Sequence, residues 1–287
     1  MLAKQTGREV AAEFLGTAVL MLFGLGVNAQ VTTGQLVLLD ASGPGVKQFG
    51  DWLSINFGWG LAVALAVYTA GGVSGAHLNP AVSVAMAVHG RLAWSKLAPY
   101  IVAQMLGAIV ASGLVYVVYR EAIDAYEITQ AQASGEDDQV LESPPRTMST
   151  AGVFATYPRQ FQTGDRLSNL GGLVDQMVAT AMLLLCVFAL SDENNMAPKS
   201  NMAPLMVGGV VFMIGMALGS NCGYAINPAR DLGPRLFTFF GGWGSQVFQQ
   251  PNSTWWLVPV AGPCLGGVVG GFVYLLLIAK RHPESPA

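Results

Sequence analysis

The sequence predicts an all-α integral membrane protein with six transmembrane helices and two re-entrant half-helices, arranged as an inverted twofold repeat. Of the 287 residues, 52% are hydrophobic and only 11% are charged, whereas about a quarter are charged in soluble domains. Six stretches are apolar over roughly the 20 residues that a helix needs to cross a bilayer. The tripeptide Asn-Pro-Ala occurs twice, about half a chain apart. A soluble helical protein with a large core is the alternative, and the length of the apolar stretches disfavours it.

The six apolar stretches are the predicted transmembrane helices. The third carries no charge, and the first is too long to be a cleavable signal peptide. An even number of spans places both termini on one side of the membrane, and the distribution of Lys and Arg over the loops predicts that this side is the cytoplasm. The stretches cover about 10–29, 54–73, 97–119, 170–190, 203–220 and 256–279.

We expect residues 1–287 to form a single domain that contains two structural repeats. The first repeat covers about 8–120 and the second about 169–282, and an outer connection of about 120–168 joins them. This connection is the only long hydrophilic segment, and its Gly, Pro and acidic residues, including 135–138, predict a loop with turns. The net charge of −3 gives no reason to expect a nucleic-acid partner.

The two half-helices are predicted from Asn79-Pro80-Ala81 and Asn227-Pro228-Ala229. Asn is a favoured N-cap and Pro suits the first helical position, so each motif should begin a helix. The helical patterns end near His89 and Phe240. Ten helical residues rise about 15 Å, which is half of a hydrocarbon core of roughly 30 Å. An odd number of full spans lies between the motifs, so the second half-helix should enter from the opposite side.

This arrangement places polar groups in the middle of the membrane. Both half-helices direct a positive N-terminal end to the same place, where the two Asn side chains add amide donors. Converging positive dipoles disfavour cations and interrupt proton conduction, while neutral hydroxyl compounds can still form hydrogen bonds. Non-helical backbone is tolerated at this depth only where it lines a cavity or is buried. The carbonyl groups expected to line that cavity are those of Gly75, Ala76, His77, Gly223 and Ala225.

Two ionisable residues stand out in the predicted membrane region. Arg230 directly follows the second motif, and an intramembrane charge marks a functional site by default. A structural ion pair with Asp231 is the alternative, while Arg235 could be an interfacial charge or have a role. Glu13, in the first span, is expected to hold backbone amides of the first loop rather than to transport protons. Gln176 occupies the corresponding place in the second half.

No motif for covalent catalysis, cofactor binding or metal binding is visible. The three cysteines lack pairing or metal-ligand spacing, and His77 is expected to be a neutral hydrogen-bonding residue. A secondary transporter also uses inverted repeats, but it would need a titratable site at the midplane, for which only Glu13 and Asp175 are available. A scaffold protein with a closed pore is the third class. The protein is therefore not expected to be an enzyme.

The residues around both motifs resemble the major intrinsic protein family and, within it, the aquaglyceroporins or glycerol facilitators. The similarity extends from Glu9 to about His282, and the stretches 74–82 and 227–235 are specific matches. This resemblance implies a passive channel for glycerol, water and other small neutral solutes that excludes ions and protons. It also implies a homotetramer with one pore per chain in the lipid bilayer, with the plasma membrane as the expected location.

The resemblance also implies a selectivity filter. Arg230 matches the family's filter arginine, and Trp59 and Tyr224 match its aromatic residues. Gly215 stands where water-selective members carry His, which favours glycerol because a glycine leaves room for a carbon backbone. Asp231 agrees with the glycerol-conducting pattern and is expected to give structural support, with Glu13 and Gln176. A water-selective pore remains the alternative.

Overall fold

The computed structural model describes residues 2–40, 43–133 and 144–283 of the chain. Within these ranges the chain forms ten α-helices and one antiparallel pair of strands. The helices are α1 Leu2–Thr33, α2 Trp52–Ser74, α3 Pro80–Val88, α4 Trp94–Ala133, α5 Met148–Phe154, α6 Asn169–Leu190, α7 Ala203–Leu218, α8 Pro228–Thr238, α9 Gln246–Gln249 and α10 Val258–Leu277, and the strands are β1 Gln35–Asp40 and β2 Gly43–Gln48.

The membrane-spanning helices agree with the sequence prediction. Five helices of the described chain are long and apolar enough to cross a bilayer, namely α1, α2, α4, α6 and α10. The last of these spans includes the short helical turns on both sides of α10 and covers Trp255–Arg281. The sixth predicted span is α7, which has 16 residues and rises about 24 Å at 1.5 Å per residue. The predicted class, a helical integral membrane protein with six spans, is confirmed.

The two half-helices are present as predicted. Helix α3 has 9 residues and α8 has 11, and each begins with proline after an asparagine N-cap. The second ends at Thr238, where a π-helical turn over Phe239–Trp243 replaces the predicted continuation. Helix α3 packs against α4 and α10, and α8 packs against the same two helices. The half-helices are therefore held end to end inside the bundle.

Two local features differ from the prediction. Strands β1 and β2 pair from Gln35 and Gln48 inward, so the fold is all-α apart from one hairpin. The outer connection is not a loop throughout, because α4 continues to Ala133 and α5 lies within it. The side chains of Ile123, Glu127 and Ala131 are buried, at the four-residue spacing of one helical face. The polar composition hid this face, and the acidic turn expected at 135–138 lies outside the described residues.

Glycine allows the long helices to pack closely. Gly266 and Gly270 of α10 face α6, where an added Cβ would lie 2.1 Å from the Met177 carbonyl oxygen and 2.0 Å from that of Ala181. Helices α2 and α7 cross at Gly60 and Gly208, with a Cβ on Gly208 2.3 Å from the Gly60 carbonyl oxygen. Such contacts stabilise membrane helices by close backbone approach, and they fix the bundle around the two half-helices.

Candidate functional site

Two asparagines cap the half-helices in the same way. The Oδ1 atom of Asn79 accepts a hydrogen bond from the Ala81 amide at 2.8 Å. The Oδ1 atom of Asn227 accepts from the amides of Ala229 at 2.9 Å and Arg230 at 3.3 Å. Each cap satisfies backbone donors that a helix N-terminus leaves free. The amide groups are thereby fixed at the positive ends of both half-helices.

The same two side chains link the halves of the molecule. Asn79 Nδ2 donates to the Ile226 carbonyl at 2.8 Å, and Asn227 Nδ2 donates to the Leu78 carbonyl at 2.8 Å. An amide NH2 group has two hydrogens, so each asparagine keeps one donor for another partner. Leu78 and Ile226 were not among the carbonyl residues expected from the sequence, which gave no sign of the crossed pairing.

Glu13 holds the first re-entrant loop, residues 75–78, by its backbone amides. Its side chain is fully buried. Oε1 accepts from the His77 amide at 2.9 Å and from Ser74 Oγ at 2.6 Å, while Oε2 accepts from the Leu78 amide at 2.7 Å and from Gln104 Nε2 at 2.8 Å. Glu13 thus holds the loop by two of its backbone amides, while the Leu78 carbonyl accepts from Asn227.

Both re-entrant loops have strained backbone. The second re-entrant loop, residues 223–226, repeats the pattern of the first, with positive φ at the first, second and fourth residues. Among non-glycine residues, φ is 48° at Ala76, 53° at Leu78, 33° at Tyr224 and 45° at Ile226. Such angles cost about 1–3 kcal/mol each and concentrate at functional sites. The hydrogen bonds of Glu13 and of Gln176, whose Oε1 accepts from the Ile226 amide at 2.9 Å, hold the loops in this conformation.

A cavity of about 180 Å³ lies where the loops and half-helices meet. Its lining has two parts of different character. The two loops and the half-helix N-caps contribute Gly75, Ala76, His77, Leu78, Asn79, Ala225, Ile226 and Asn227, and the helices contribute the apolar residues Leu20, Val63, Val67, Val82, Met86, Leu183, Val187, Val207 and Val211. Of the expected carbonyl residues, only Gly223 lies elsewhere, on a neighbouring cavity.

The neighbouring cavity has a volume of about 280 Å³ and adjoins the first. Three residues line both cavities: Trp59, Tyr224 and Arg230. They are buried, with 4%, 6% and 7% of their surfaces exposed. The Arg230 guanidinium lies 4.3 Å from the centre of the Trp59 ring. These three residues, which were expected to form the filter, therefore lie where the two cavities meet, a place that we call the constriction.

Arg230 is held by a carbonyl group and not by an acid. Its Nη1 atom donates to the Phe154 carbonyl at 2.9 Å. Asp231 instead binds Arg235, with Oδ1 2.8 Å from Nη2, and accepts from the Thr156 amide at 2.7 Å. The alternative of an Arg230–Asp231 ion pair is thus wrong. Arg235 is fully buried, so it is not an interfacial charge.

The orientation of Trp59 depends on a residue that sequence reasoning missed. Trp59 Nε1 donates to Asn28 Oδ1 at 3.0 Å, and Asn28 Nδ2 donates to the Val153 carbonyl at 3.1 Å. The indole donor is therefore engaged, and the ring presents its carbon surface to the passage. A buried Asn in the first apolar span was the available signal, since polar side chains in such spans pair with partners on other elements.

Gly215 does not line either cavity. An added Cβ would lie 2.2 Å from Asn56 Oδ1 and 2.8 Å from Tyr224 Cζ. The space beside Gly215 is filled by Tyr224 and Asn56, which corrects the expectation that it is open to a solute. The glycine acts on the passage through Tyr224, because any side chain here would displace that ring.

His77 lines the cavity, and neighbouring side chains hold its ring. The ring nitrogen Nδ1 lies 3.1 Å from Ser83 Oγ, and the ring packs edge-on against Tyr100. In the part of the chain that the structure describes, no group of three or more His, Cys, Asp or Glu residues could hold a metal ion. The chemistry available at the site is hydrogen bonding and electrostatics.

Together, these features define a membrane channel for small neutral molecules. The half-helices bring two positive ends to a cavity that is lined by backbone groups of two loops and by apolar side chains, and an arginine lies in the constriction. The sequence model of the major intrinsic protein family matches residues 2–274. The chain therefore belongs to the major intrinsic protein family.

The proteins similar to this chain indicate its branch within the family. Aquaporin-9 of Homo sapiens is 40% identical over 284 residues, covering 99% of this chain and 87% of that protein. Aquaporin-10 of Milnesium tardigradum is 42% identical over 287 residues, covering 96% of this chain but only 64% of the longer relative. The solved aquaglyceroporin from Plasmodium falciparum matches with a TM-score of 0.74 and 30% identity, over 96% of this chain and 98% of that one. The aquaglyceroporin resemblance is confirmed.

Proposed function

We propose that this chain is a passive channel for glycerol, water and other small neutral solutes. The observation that carries the proposal is the constriction of Trp59, Tyr224 and Arg230 between two cavities. It combines one fixed cation with two aromatic rings, so a polyol can direct hydroxyl groups to Arg230 and its carbon atoms to the rings. The solute gradient drives the flux.

The same polarity continues along the 180 Å³ cavity. Carbonyl groups of both loops accept hydrogen bonds from solute hydroxyls, and the free hydrogens of Asn79 and Asn227 donate to solute oxygens. The opposite wall of Val, Leu and Met offers no hydrogen bonds. A molecule with hydroxyls on one side and carbon on the other loses its water shell here and gains partners on one face, which lowers its desolvation cost.

Ions lack such compensation. A cation meets the positive ends of α3 and α8 and the guanidinium of Arg230, which forms no ion pair with any described acid within 4.0 Å. An anion meets the carbonyl groups and the apolar wall. Water that binds both asparagine amides must orient its oxygen toward them, which interrupts a continuous proton path.

Family membership supports a proposal for the assembly, and the pattern of Lys and Arg over the loops supports one for the orientation. We propose a homotetramer in the plasma membrane, each chain with its own pore, and both termini in the cytoplasm. The lipid-facing sides of the spans support a membrane location, since large apolar side chains such as Phe23, Leu65, Val117 and Phe272 are exposed in the isolated chain.

Stopped-flow light scattering on proteoliposomes tests the function. Vesicles are shrunk first with sucrose and then with glycerol. Fast shrinkage followed by fast re-swelling in glycerol supports a glycerol and water channel. Fast shrinkage without re-swelling indicates a water-selective pore. Counterflow acceleration or saturation at low glycerol concentration would indicate a transporter, and vesicles no more permeable than protein-free ones would contradict the proposal.

A further inference from the structure

The two re-entrant loops are held by different chemistry at matching positions. Ser74 and Cys222 are 148 residues apart, as are the two asparagines, and each contacts the buried residue that holds its loop. In the first half, Ser74 Oγ donates to Glu13 Oε1 at 2.6 Å. In the second half, Gln176 Nε2 donates to Cys222 Sγ at 3.1 Å. The direction of the hydrogen bond is reversed.

The reversal follows from replacing a carboxylate by an amide. The two oxygens of Glu13 are equivalent, so either can accept from the loop. Gln176 has one acceptor and one donor end, and only its Oε1 atom can bind the Ile226 amide, at 2.9 Å. A rotated amide would place its NH2 group against that backbone N–H. The second loop therefore depends on the orientation of one fully enclosed amide, which is 1% exposed.

A neighbouring carboxylate determines that orientation through the thiol. Cys222 Sγ donates to Asp175 Oδ2 at 3.0 Å, and Asp175 Oδ1 accepts from Asn221 Nδ2 at 2.9 Å. Because the thiol donates its hydrogen bond to Asp175, the sulfur presents its lone pairs to Gln176. The amide must then direct Nε2 toward the sulfur and Oε1 toward the loop. Each half thus keeps one carboxylate beside its loop, fully buried at Glu13 and partly buried at Asp175, which is displaced by one residue along the sequence.

We propose that Asp175 and Cys222 are positioning residues of the channel, which orient Gln176 and thereby hold Ile226 and the second loop at the cavity. The Ile226 carbonyl accepts a hydrogen bond from Asn79. A wrongly oriented Gln176 side chain would therefore displace backbone at the meeting point of the two half-helices. The inference rests on the proposed function, because conduction is what the loop position controls.

The first experiment compares Cys222→Ala with Cys222→Ser in proteoliposomes at matched protein density. Serine can donate and accept as Ser74 does, so its water and glycerol permeabilities should stay near wild type. Alanine removes both bonds and leaves buried polar groups unpaired, so both permeabilities should fall roughly tenfold. Cys186→Ala and Cys264→Ala serve as matched controls, because those cysteines lie on α6 and α10, away from the loops.

The second experiment separates an orienting role from simple packing. Gln176→Glu alone brings a second carboxylate to the thiol opposite Asp175, and its permeability should fall. The triple variant Asp175→Ala, Gln176→Glu, Cys222→Ser reproduces the residues of the first half, namely Ala12, Glu13 and Ser74. It should regain most of the flux, which a packing role for Cys222 does not predict.

Two results would overturn the inference: a Cys222→Ala channel that conducts like the cysteine controls, or a triple variant that conducts no better than Gln176→Glu. If Cys222→Ala fails to assemble, the comparison of Gln176→Glu with the triple variant decides. Failure of the proposed function is distinct, since wild-type vesicles would then conduct neither water nor glycerol before any substitution is made.

Discussion

The width of the constriction depends on how Tyr224 is accommodated. Its hydroxyl group and Asn56 Oδ1 are buried without a hydrogen-bond partner among the described residues. Asn56 Nδ2 is fixed by the Trp52 carbonyl at 2.8 Å, so the amide oxygen must face the tyrosine and Gly215. The ring thus rests against Gly215 and Gly219, where an added Cβ would come within 2.8 Å and 2.5 Å of it.

Gly215→Ala should therefore narrow the passage. The new Cβ would overlap Asn56 Oδ1, at 2.2 Å, and Tyr224 Cζ, at 2.8 Å, so the ring must shift within the constriction. Glycerol permeability should fall several-fold more than water permeability, because glycerol is the wider molecule. Stopped-flow scattering measures both. Gly209→Ala on the same helix, where a Cβ meets nothing within 4 Å, is the control, and equal losses of both fluxes would argue against this role.

Arg230 is the charged residue of the constriction. Arg230→Val removes the fixed cation while keeping an apolar side chain next to Trp59. We expect a cation or proton leak, since a charge in a narrow, poorly hydrated passage acts more strongly than one in water. Currents in oocytes under a proton gradient measure the leak. Arg159→Val, an exposed arginine, is the control, and unchanged ion exclusion in the Arg230 variant would contradict the role assigned to it.

At the scale of elements, helix α8 contains a completely buried ion pair. Asp231 and Arg235 are both fully buried, and Arg235 also donates to the carbonyls of Thr156 at 2.8 Å and Val247 at 2.5 Å. The pair fastens the second half-helix to the connection that carries Phe154, the partner of Arg230. Both charged side chains are hydrogen-bonded to several partners. Removing only one of them leaves the other charge buried and unpaired, which is strongly destabilising.

Asp231→Ala should destabilise the protein by about 3–5 kcal/mol, because it leaves the Arg235 charge buried and uncompensated. Thermal unfolding in detergent should show a clearly lower midpoint than for wild type. Asp165→Ala, at an exposed aspartate, controls for loss of an acidic residue. The double variant Asp231→Ala, Arg235→Leu should recover part of the loss, and a single variant as stable as wild type would refute the importance of the pair.

Asp192, just after the end of α6, forms hydrogen bonds with two residues at the C-terminal end of α10. Hydrogen bonds from His282 at 3.0 Å and Tyr274 at 2.9 Å lower the pKa of Asp192 from its ordinary value of 3.8. A carboxyl group whose pKa is lowered in the folded state stabilises that state above its ordinary pKa, and this contribution is lost as the pH falls through the folded value.

Asp192→Asn should therefore lower the thermal midpoint at pH values above the ordinary pKa of 3.8, where the carboxylate stabilises the folded state. The difference from wild type should shrink below pH 3.8, where the carboxyl group of the unfolded chain becomes protonated, and it should be lost as the pH falls through the lower pKa of the folded state. Melting curves of both proteins across this range test the expectation. A difference that persists unchanged at the acidic end would show that the Asp192 charge is not what stabilises the contact.

At the scale of the whole molecule, the elements with the strongest physical signals could be predicted. The apolar spans and the repeated Asn-Pro-Ala motifs specified the six helices, the half-helices and their meeting point. The helical continuation to Ala133 was missed because its buried face is only one residue per turn in a polar segment. The crossed bonds from the asparagines to Leu78 and Ile226, and the place of Gly215 behind Tyr224, depend on contacts between distant residues. A linear sequence does not display such contacts.

Each chain contains a complete pore, so the pores of an assembly should conduct independently of one another. Residues of a single chain line both cavities and the constriction, so no neighbour is needed to complete the pore. Val211→Trp, which places a large ring in a cavity of about 180 Å³, should close one pore without touching the others. In vesicles made from mixed assemblies of wild-type and Val211→Trp chains, glycerol flux should therefore fall in direct proportion to the variant fraction. Met213→Trp, on the exposed side of the same helix, should leave flux unchanged at any fraction. A steeper than linear fall with Val211→Trp would mean that the four pores do not act independently.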